Sequence, residues 1–206
     1  MSEADRDRLL DAVLPEIVFD GWSRHALRAA GRKIGLSAAE AEALFPGGPR
    51  DLVAGFSRRA DRRMLARLGH LDLAGMRLHE RVAAAIMARL EALALDREAV
   101  RHALLLLALP INLPLGARLL YETVDAIWYA ASDASTDFSF YTKRALLAGV
   151  QVSTTLYWLE DRSANFAATR GFLDRRLGDI AKIPRWRERV AKRLRGLPNP
   201  LRGVWS

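Results

Sequence analysis

The stretch Ser132-Asp-Ala-Ser-Thr-Asp-Phe-Ser-Phe-Tyr-Thr-Lys-Arg-Ala-Leu-Leu-Ala-Gly149 starts with helix-capping residues and runs straight into an apolar helical pattern. Ser135 and Thr136 are suited to an N-cap, and Asp137 places a carboxylate in the first turn, where the helix dipole favours it. At about 100° per residue, Phe138, Ala145, Leu146, Gly149, Val152 and Leu156 share one side, which reads as the core face. Asp137, Phe140, Tyr141 and Arg144, spaced i, i+3, i+4 and i+7, share another. Two aromatics between an acid and a base, outside the core stripe, read as a partner-docking patch. Burial under a second helix is the competing reading, and periodicity does not separate the two.

Working outward, almost every segment reads as helix, punctuated by Gly and Pro, with no alternating strand pattern. The first helix is expected over 4–14, with Leu9, Leu10 and Val13 inward and Pro15 ending it. Gly21 and Gly35 separate short helices at 23–34 and 37–44. Pro46-Gly-Gly-Pro49 makes a turn before a longer helix over 51–68. Further helices are expected at 77–93, 96–108, 115–131, 136–159, 163–181 and 184–195. The fold class is therefore all-α. The first third resembles the three-helix DNA-binding head of the TetR regulators. In that arrangement the second short helix, here Ser37-Ala-Ala-Glu-Ala-Glu-Ala-Leu44, would enter the major groove. Base edges are read there by Arg, Lys, Asn or Gln, yet this helix has none of these and carries two carboxylates that phosphate repels. The head is expected to keep the fold without binding nucleic acid.

At 206 residues the chain is long enough for one well-buried domain. Half its residues are hydrophobic and 27% are charged, and it has no cysteine, so disulfides and thiolate metal sites are excluded. The net charge of +8 is concentrated at one end: residues 182–206 hold eight Lys/Arg and one acid, leaving 24 basic and 23 acidic groups elsewhere. We divide the chain into a helical domain, 1–182, with the head at 1–50 and a body at 51–182, and a basic tail, 183–206. In the tail, Ile183, Trp186, Val190, Leu194 and Leu197 recur at three- or four-residue intervals, with Arg185, Arg187, Arg189, Lys192, Arg193 and Arg195 around them. This is the pattern of an amphipathic helix on an anionic membrane surface, with Trp186, Arg187, Val190, Arg193 and Leu194 as its contact residues. Nonspecific nucleic-acid binding and folding onto its own domain are the alternatives. The polar, mixed-charge residues 1–8 contain neither an apolar signal region nor an acid-poor transit sequence.

No catalytic constellation stands out. His25, His70, His79 and His102 have no ligand spacing, no Glu-x-x-His pair suits a di-iron bundle, and no Gly-rich loop follows a strand. Neither catalytic nor metal-binding residues are expected, and no cofactor. The segment Ala103-Leu-Leu-Leu-Leu-Ala-Leu-Pro-Ile-Asn-Leu-Pro-Leu115 is apolar on every side of a helix. It reads either as a central buried helix or as the wall of a lipid cavity. On the cavity reading Leu106, Leu109, Pro110, Asn112 and Leu113 form one wall, with Pro110 and Pro114 opening the helix and Asn112 as a lone polar contact. Val152 and Leu156, with Val150, Trp158 and Leu159, would face them.

Residues 135–145, Ser-Thr-Asp-Phe-x-aromatic-Tyr-Thr-(Lys/Arg)-Arg-Ala, resemble the signature of the ubiquinone-biosynthesis accessory family, the ninth Coq protein. The resemblance runs on through Tyr157-Trp-Leu-Glu-Asp-Arg-Ser163 and Phe172-Leu-Asp-Arg-Arg-Leu177. It runs back through Val124-Asp-Ala-Ile-Trp-Tyr129 to Leu107-Ala-Leu-Pro-Ile-Asn-Leu-Pro114. The departure is Phe140, where members of the family commonly carry Trp, so the indole donor is lost. The resemblance implies a TetR-like, non-catalytic protein that binds an isoprenoid quinone precursor or a phospholipid. It implies service to the di-iron demethoxyubiquinone hydroxylase, and the TetR likeness adds a homodimer paired through the last helices. A bacterial protein in the cytoplasm, peripheral on the inner face of the membrane, is the expected setting. A ligand-responsive transcriptional regulator and a plain dimeric scaffold are the rival readings.

Overall fold

In the computed structural model, residues 2–131 and 140–180 are described, and they contain helices and turns but no strand. Three helices make the head: α1 (Glu3–Asp20), α2 (Arg24–Lys33) and α3 (Ala38–Leu44). Each starts at a serine. Ser2 and Asp5 form a capping box on α1, the Ser23 hydroxyl accepts from the Ala26 N–H, and Ser37 and Glu40 form a second box on α3. Gly21 leaves α1 at a φ of 59° and Gly35 makes the turn after α2 at 82°, both in the left-handed region where a Cβ is strained. Gly31 brings α2 close to α3, since a Cβ there would lie 2.8 Å from the Ala41 Cβ. Pro15 does not end α1. The helix runs through it because Ile17, two residues further on and one turn beyond Val13, is fully buried with Leu9, Leu10 and Val13, and that burial offsets one lost backbone hydrogen bond.

The body is built on α4 (Pro49–Leu68), which packs against α5 (Leu78–Ala92) and α7 (Leu113–Ala130). Between them α6 (Arg97–Ala108) ends at a turn of 3₁₀ helix, Pro110–Asn112, and the chain swings by 97° into α7. No single described helix is long and apolar enough to cross a membrane. Helix α8 (Phe140–Glu160) lies along α7, and α9 occupies 167–180. Tyr157 of α8 stacks on Phe172 of α9, with ring centroids 4.5 Å apart.

Two sequence expectations are corrected here. Segment 103–115 is not a central buried helix: Leu105, Leu109, Ile111 and Leu113 are 64%, 52%, 75% and 56% exposed. A helix that is apolar on all sides can bury only the side that meets a neighbour, and this elbow sits where no described element covers its outer side. The second correction is the phase of α8. Its buried face is Leu147, Val150, Gln151, Thr154, Thr155, Trp158 and Leu159, while Ala145, Gly149, Val152 and Leu156 are exposed. Residues 145–159 carry no charge to mark an outer face, and both faces are apolar enough to pass as core. The side holding the indole of Trp158 removes more apolar surface from water, and it wins.

Candidate functional site

Five helices converge on an apolar cleft of about 370 Å³. Helix α4 contributes Val53, Phe56, Ser57 and Ala60, and α6 contributes Ala103, Leu104, Leu107 and Ala108. Helix α7 adds Leu113, Gly116, Leu119, Leu120 and Thr123, and α8 adds Gln151, Val152 and Thr155. The exposed Ala108, Leu113 and Val152 belong to its rim, and the buried Ala60, Arg89, Thr123 and Gln151 to its floor. The volume lies near the lower end of the range for small-molecule sites, and a mostly apolar lining with a few convergent polar groups is their usual composition. The apolar elbow at 105–113 adjoins the rim, because Leu113 belongs to both. A larger groove of about 930 Å³ runs between α1, α4 and the α5–α6 connection, but Asp11, Arg63, Arg67, Glu91 and Asp96 line it. Charged walls do not suit an apolar chain, so the smaller cleft is the better candidate.

The polar floor holds itself together. Arg89 donates from Nε to Asp61 Oδ1 at 2.7 Å and from Nη2 to Ser57 Oγ at 3.1 Å, and Thr123 Oγ1 donates to the same Asp61 carboxylate at 3.1 Å. A buried ion pair is held in place by such additional hydrogen bonds, which offset part of its desolvation. Among the described residues, no group of three or more His, Asp or Glu is placed to hold a metal ion.

Of the residues expected to touch a lipid, Leu113 and Val152 line this cleft. Leu109 and Pro110 are exposed on the elbow, Leu106 packs on the core, and Leu156 faces outward from α8. Asn112 is buried and donates from Nδ2 to the Leu106 carbonyl at 2.9 Å, so its amide ties the elbow together. Arg144 is not part of an open surface: its side chain is 11% exposed and its Nη2 donates to Asp125 Oδ1 at 2.6 Å, joining α8 to α7. It continues the buried face through Leu147, Gln151 and Thr154, so the assumption that it lay outside the core inherits the wrong helix phase. Asp137, the side chains of Phe140 and Tyr141, and the tail residues Trp186, Arg187, Val190, Arg193 and Leu194 lie outside the described residues. Sequence reasoning missed the floor. Asp61 and Arg89 look like ordinary charges on amphipathic helices, and only the tertiary fold sets them against Thr123.

In the head, α3 shows its carboxylates where a DNA-reading helix would show donors. Glu40 is exposed, and Glu42 accepts from Arg28 Nε at 2.5 Å.

Comparison with known proteins gives both fold and family. A TetR transcriptional regulator from Nitrosomonas europaea ATCC 19718 superposes with a TM-score of 0.70 at 25% identity, over 86% of this chain and 98% of that one. The all-α fold is thus TetR-like. The COQ9 family model matches residues 113–184. The ubiquinone biosynthesis protein COQ9, mitochondrial, of Rattus norvegicus is 32% identical over 190 residues, 88% of this chain and 60% of that protein. The Homo sapiens protein of the same name is 31% identical over 185 residues, 85% of this chain and 57% of that one. The Schizosaccharomyces pombe protein is 31% identical over 172 residues, 82% of this chain and 67% of that one. The chain thus spans about three-fifths of the length of the first two relatives. All three are named as mitochondrial, which conflicts with the expected setting on the inner face of a bacterial cytoplasmic membrane, and that placement is withdrawn. With the motif-bearing residues 113–184 matched by the family model and 88% of its length aligned to a relative at 32% identity, this chain belongs to the COQ9 family.

Proposed function

We propose that this protein is a non-catalytic accessory factor of ubiquinone biosynthesis that binds an apolar, isoprenoid-bearing ring precursor in the α4–α8 cleft. It would present that precursor, at a membrane surface, to the di-iron demethoxyubiquinone hydroxylase. The observation that carries the reading is the cleft itself: apolar walls, a polar floor, and a rim continuous with an exposed apolar elbow. Such an elbow can touch the bilayer interface and give an apolar chain a route into the cleft without crossing water. The basic amphipathic pattern of residues 183–206 supports attachment to an anionic surface. The α8 stripe of Ala145, Gly149, Val152 and Leu156, exposed among the described residues, supports a homodimer paired through that face. The partner-docking role of Asp137, Phe140 and Tyr141 rests on the motif they share with the family.

The TetR-like fold favours a second reading, a ligand-responsive regulator, but the carboxylates on α3 oppose approach to phosphate.

Extraction of protein purified under native conditions, followed by mass spectrometry, tests the proposal. The wild type is expected to carry an apolar ligand at near-stoichiometric level. Ala108→Trp, which places an indole at the exposed rim, should melt close to wild type and lose most of that ligand. Wild-type protein that is repeatedly empty, or equal loading in the variant, would sink the cleft reading.

A further inference from the structure

The cleft also carries information about the polar end of its ligand, and the inference rests on the lipid-binding reading above. Gln151, which α8 contributes to the cleft floor, is 3% exposed, and its Oε1 is buried with no hydrogen-bond partner. The amide is turned with its nitrogen toward Thr155: Thr155 Oγ1 donates to the Gln151 main-chain carbonyl at 2.8 Å, and Gln151 Nε2 donates to Thr155 Oγ1 at 3.2 Å. In this orientation Oε1 is the end left over. The neighbouring floor supplies no proton for it, because Arg89 and Thr123 are directed to Asp61 and Ser57. A buried acceptor left unmade is costly, and such groups mark places where something else completes the bond.

The missing group must be a donor. It must also be neutral, because the Asp61 carboxylate is already balanced by Arg89 and nothing else on the floor would compensate a cation. It must sit on an apolar body to match the remaining walls. A ring hydroxyl satisfies all three conditions. A quinone carbonyl or a methoxy group offers only lone pairs and leaves Oε1 unpaired.

We propose that Gln151 makes the cleft selective for the hydroxylated form of its ligand, a prenylated phenol or hydroquinone, by accepting the ring hydroxyl proton at Oε1. The protein then discriminates at the one ring oxygen that meets Gln151, admitting a free hydroxyl there and disfavouring a carbonyl or a methoxy group at that position. Discrimination of this kind is strong when a site is built around one hydrogen bond, since the wrong ligand buries an unpaired group.

The experiment is a native mass-spectrometry competition on the full chain between farnesylphenol and its methyl ether at equal concentration. The wild type is expected to favour the phenol by about tenfold or more, the range of one buried hydrogen bond. Gln151→Leu, close in shape but without the acceptor, should bind both and bring the ratio to within about twofold of one. Gln151→Asn, which withdraws the amide by one methylene, should do the same and serves if the leucine variant does not fold. A wild-type ratio near one, or a preference that persists in a folded variant, overturns the selectivity while leaving lipid binding intact. Failure of both probes to bind the wild type overturns the cleft reading itself.

Discussion

At the scale of single residues, the junction between α8 and α9 depends on one carboxylate. Asp161 is buried, and its Oδ1 accepts from the Ser163 N–H at 2.7 Å while Oδ2 accepts from the Thr169 N–H at 2.9 Å and the Thr169 hydroxyl at 2.5 Å. Burial alone would raise its pKa, but the hydrogen bonds from Ser163 and Thr169 outweigh it and hold the carboxyl well below the usual range. Arg97 closes the junction from α6, donating to the Asp161 main-chain carbonyl at 2.7 Å with its guanidinium 4.8 Å from the centroid of the Trp158 ring. A carboxylate whose pKa is depressed by folding contributes stability that is complete above its unfolded value, about 3.9, and is lost as pH falls toward the folded one. Thermal melting should therefore show wild-type stability declining from about pH 5 downward. Asp161→Asn should melt lower than wild type at pH 7 and decline less steeply in acid. Parallel pH profiles for the two proteins would show that Asp161 is not a source of acid sensitivity.

At the scale of elements, legibility followed local chemistry. Helices α2 and α3 could be read almost to the residue because their limits are set within a few positions of themselves: Ser23 and Ser37 cap, Gly35 turns, and Pro46-Gly-Gly-Pro49 breaks the chain. The end of α1 could not, because burial of Ile17 carries the helix past Pro15 to Asp20. The break around Pro110 was legible for the same reason as α2 and α3. The phase of α8 was not, because it is decided by which of two apolar faces meets α7, and that contact is tertiary. The floor of the cleft was illegible for a related reason: Asp61 and Arg89 lie 28 positions apart, and Thr123 and Gln151 come from two further helices. A pair of substitutions on α8 separates the two assignments of its faces. Trp158→Ala should cost about 3–5 kcal/mol in denaturant unfolding, since it removes a fully buried indole. Leu156→Ala, on the exposed face, should change the stability of the isolated chain by less than about 0.5 kcal/mol. Equal losses at the two positions would restore the original phase.

At the scale of the whole molecule, the proposed dimer would connect assembly to the cleft through the exposed α8 stripe. Val152 stands on both, as a member of the stripe and of the rim, so a second copy packed along α8 would also cover part of the opening. Pairing and ligand retention are then linked, and whatever favours one favours the other. Gly149 offers a clean probe because, its own helix backbone aside, no atom of the described residues lies within 4 Å of where its Cβ would stand, so a side chain fits within the monomer. Gly149→Glu places a charge in the middle of the stripe. Its monomer should fold at least as well as wild type, since a glycine inside a helix costs about 0.5–1 kcal/mol relative to alanine. Two such carboxylates facing each other across a dimer would be buried without partners, and the dimer should fail. Light scattering should accordingly report a dimeric wild type and a monomeric variant of unchanged helicity, and the monomer should release its apolar ligand faster. A variant that remains dimeric would move the interface off α8. A monomeric variant that keeps its ligand as long as wild type would leave the interface in place and break its link to the cleft.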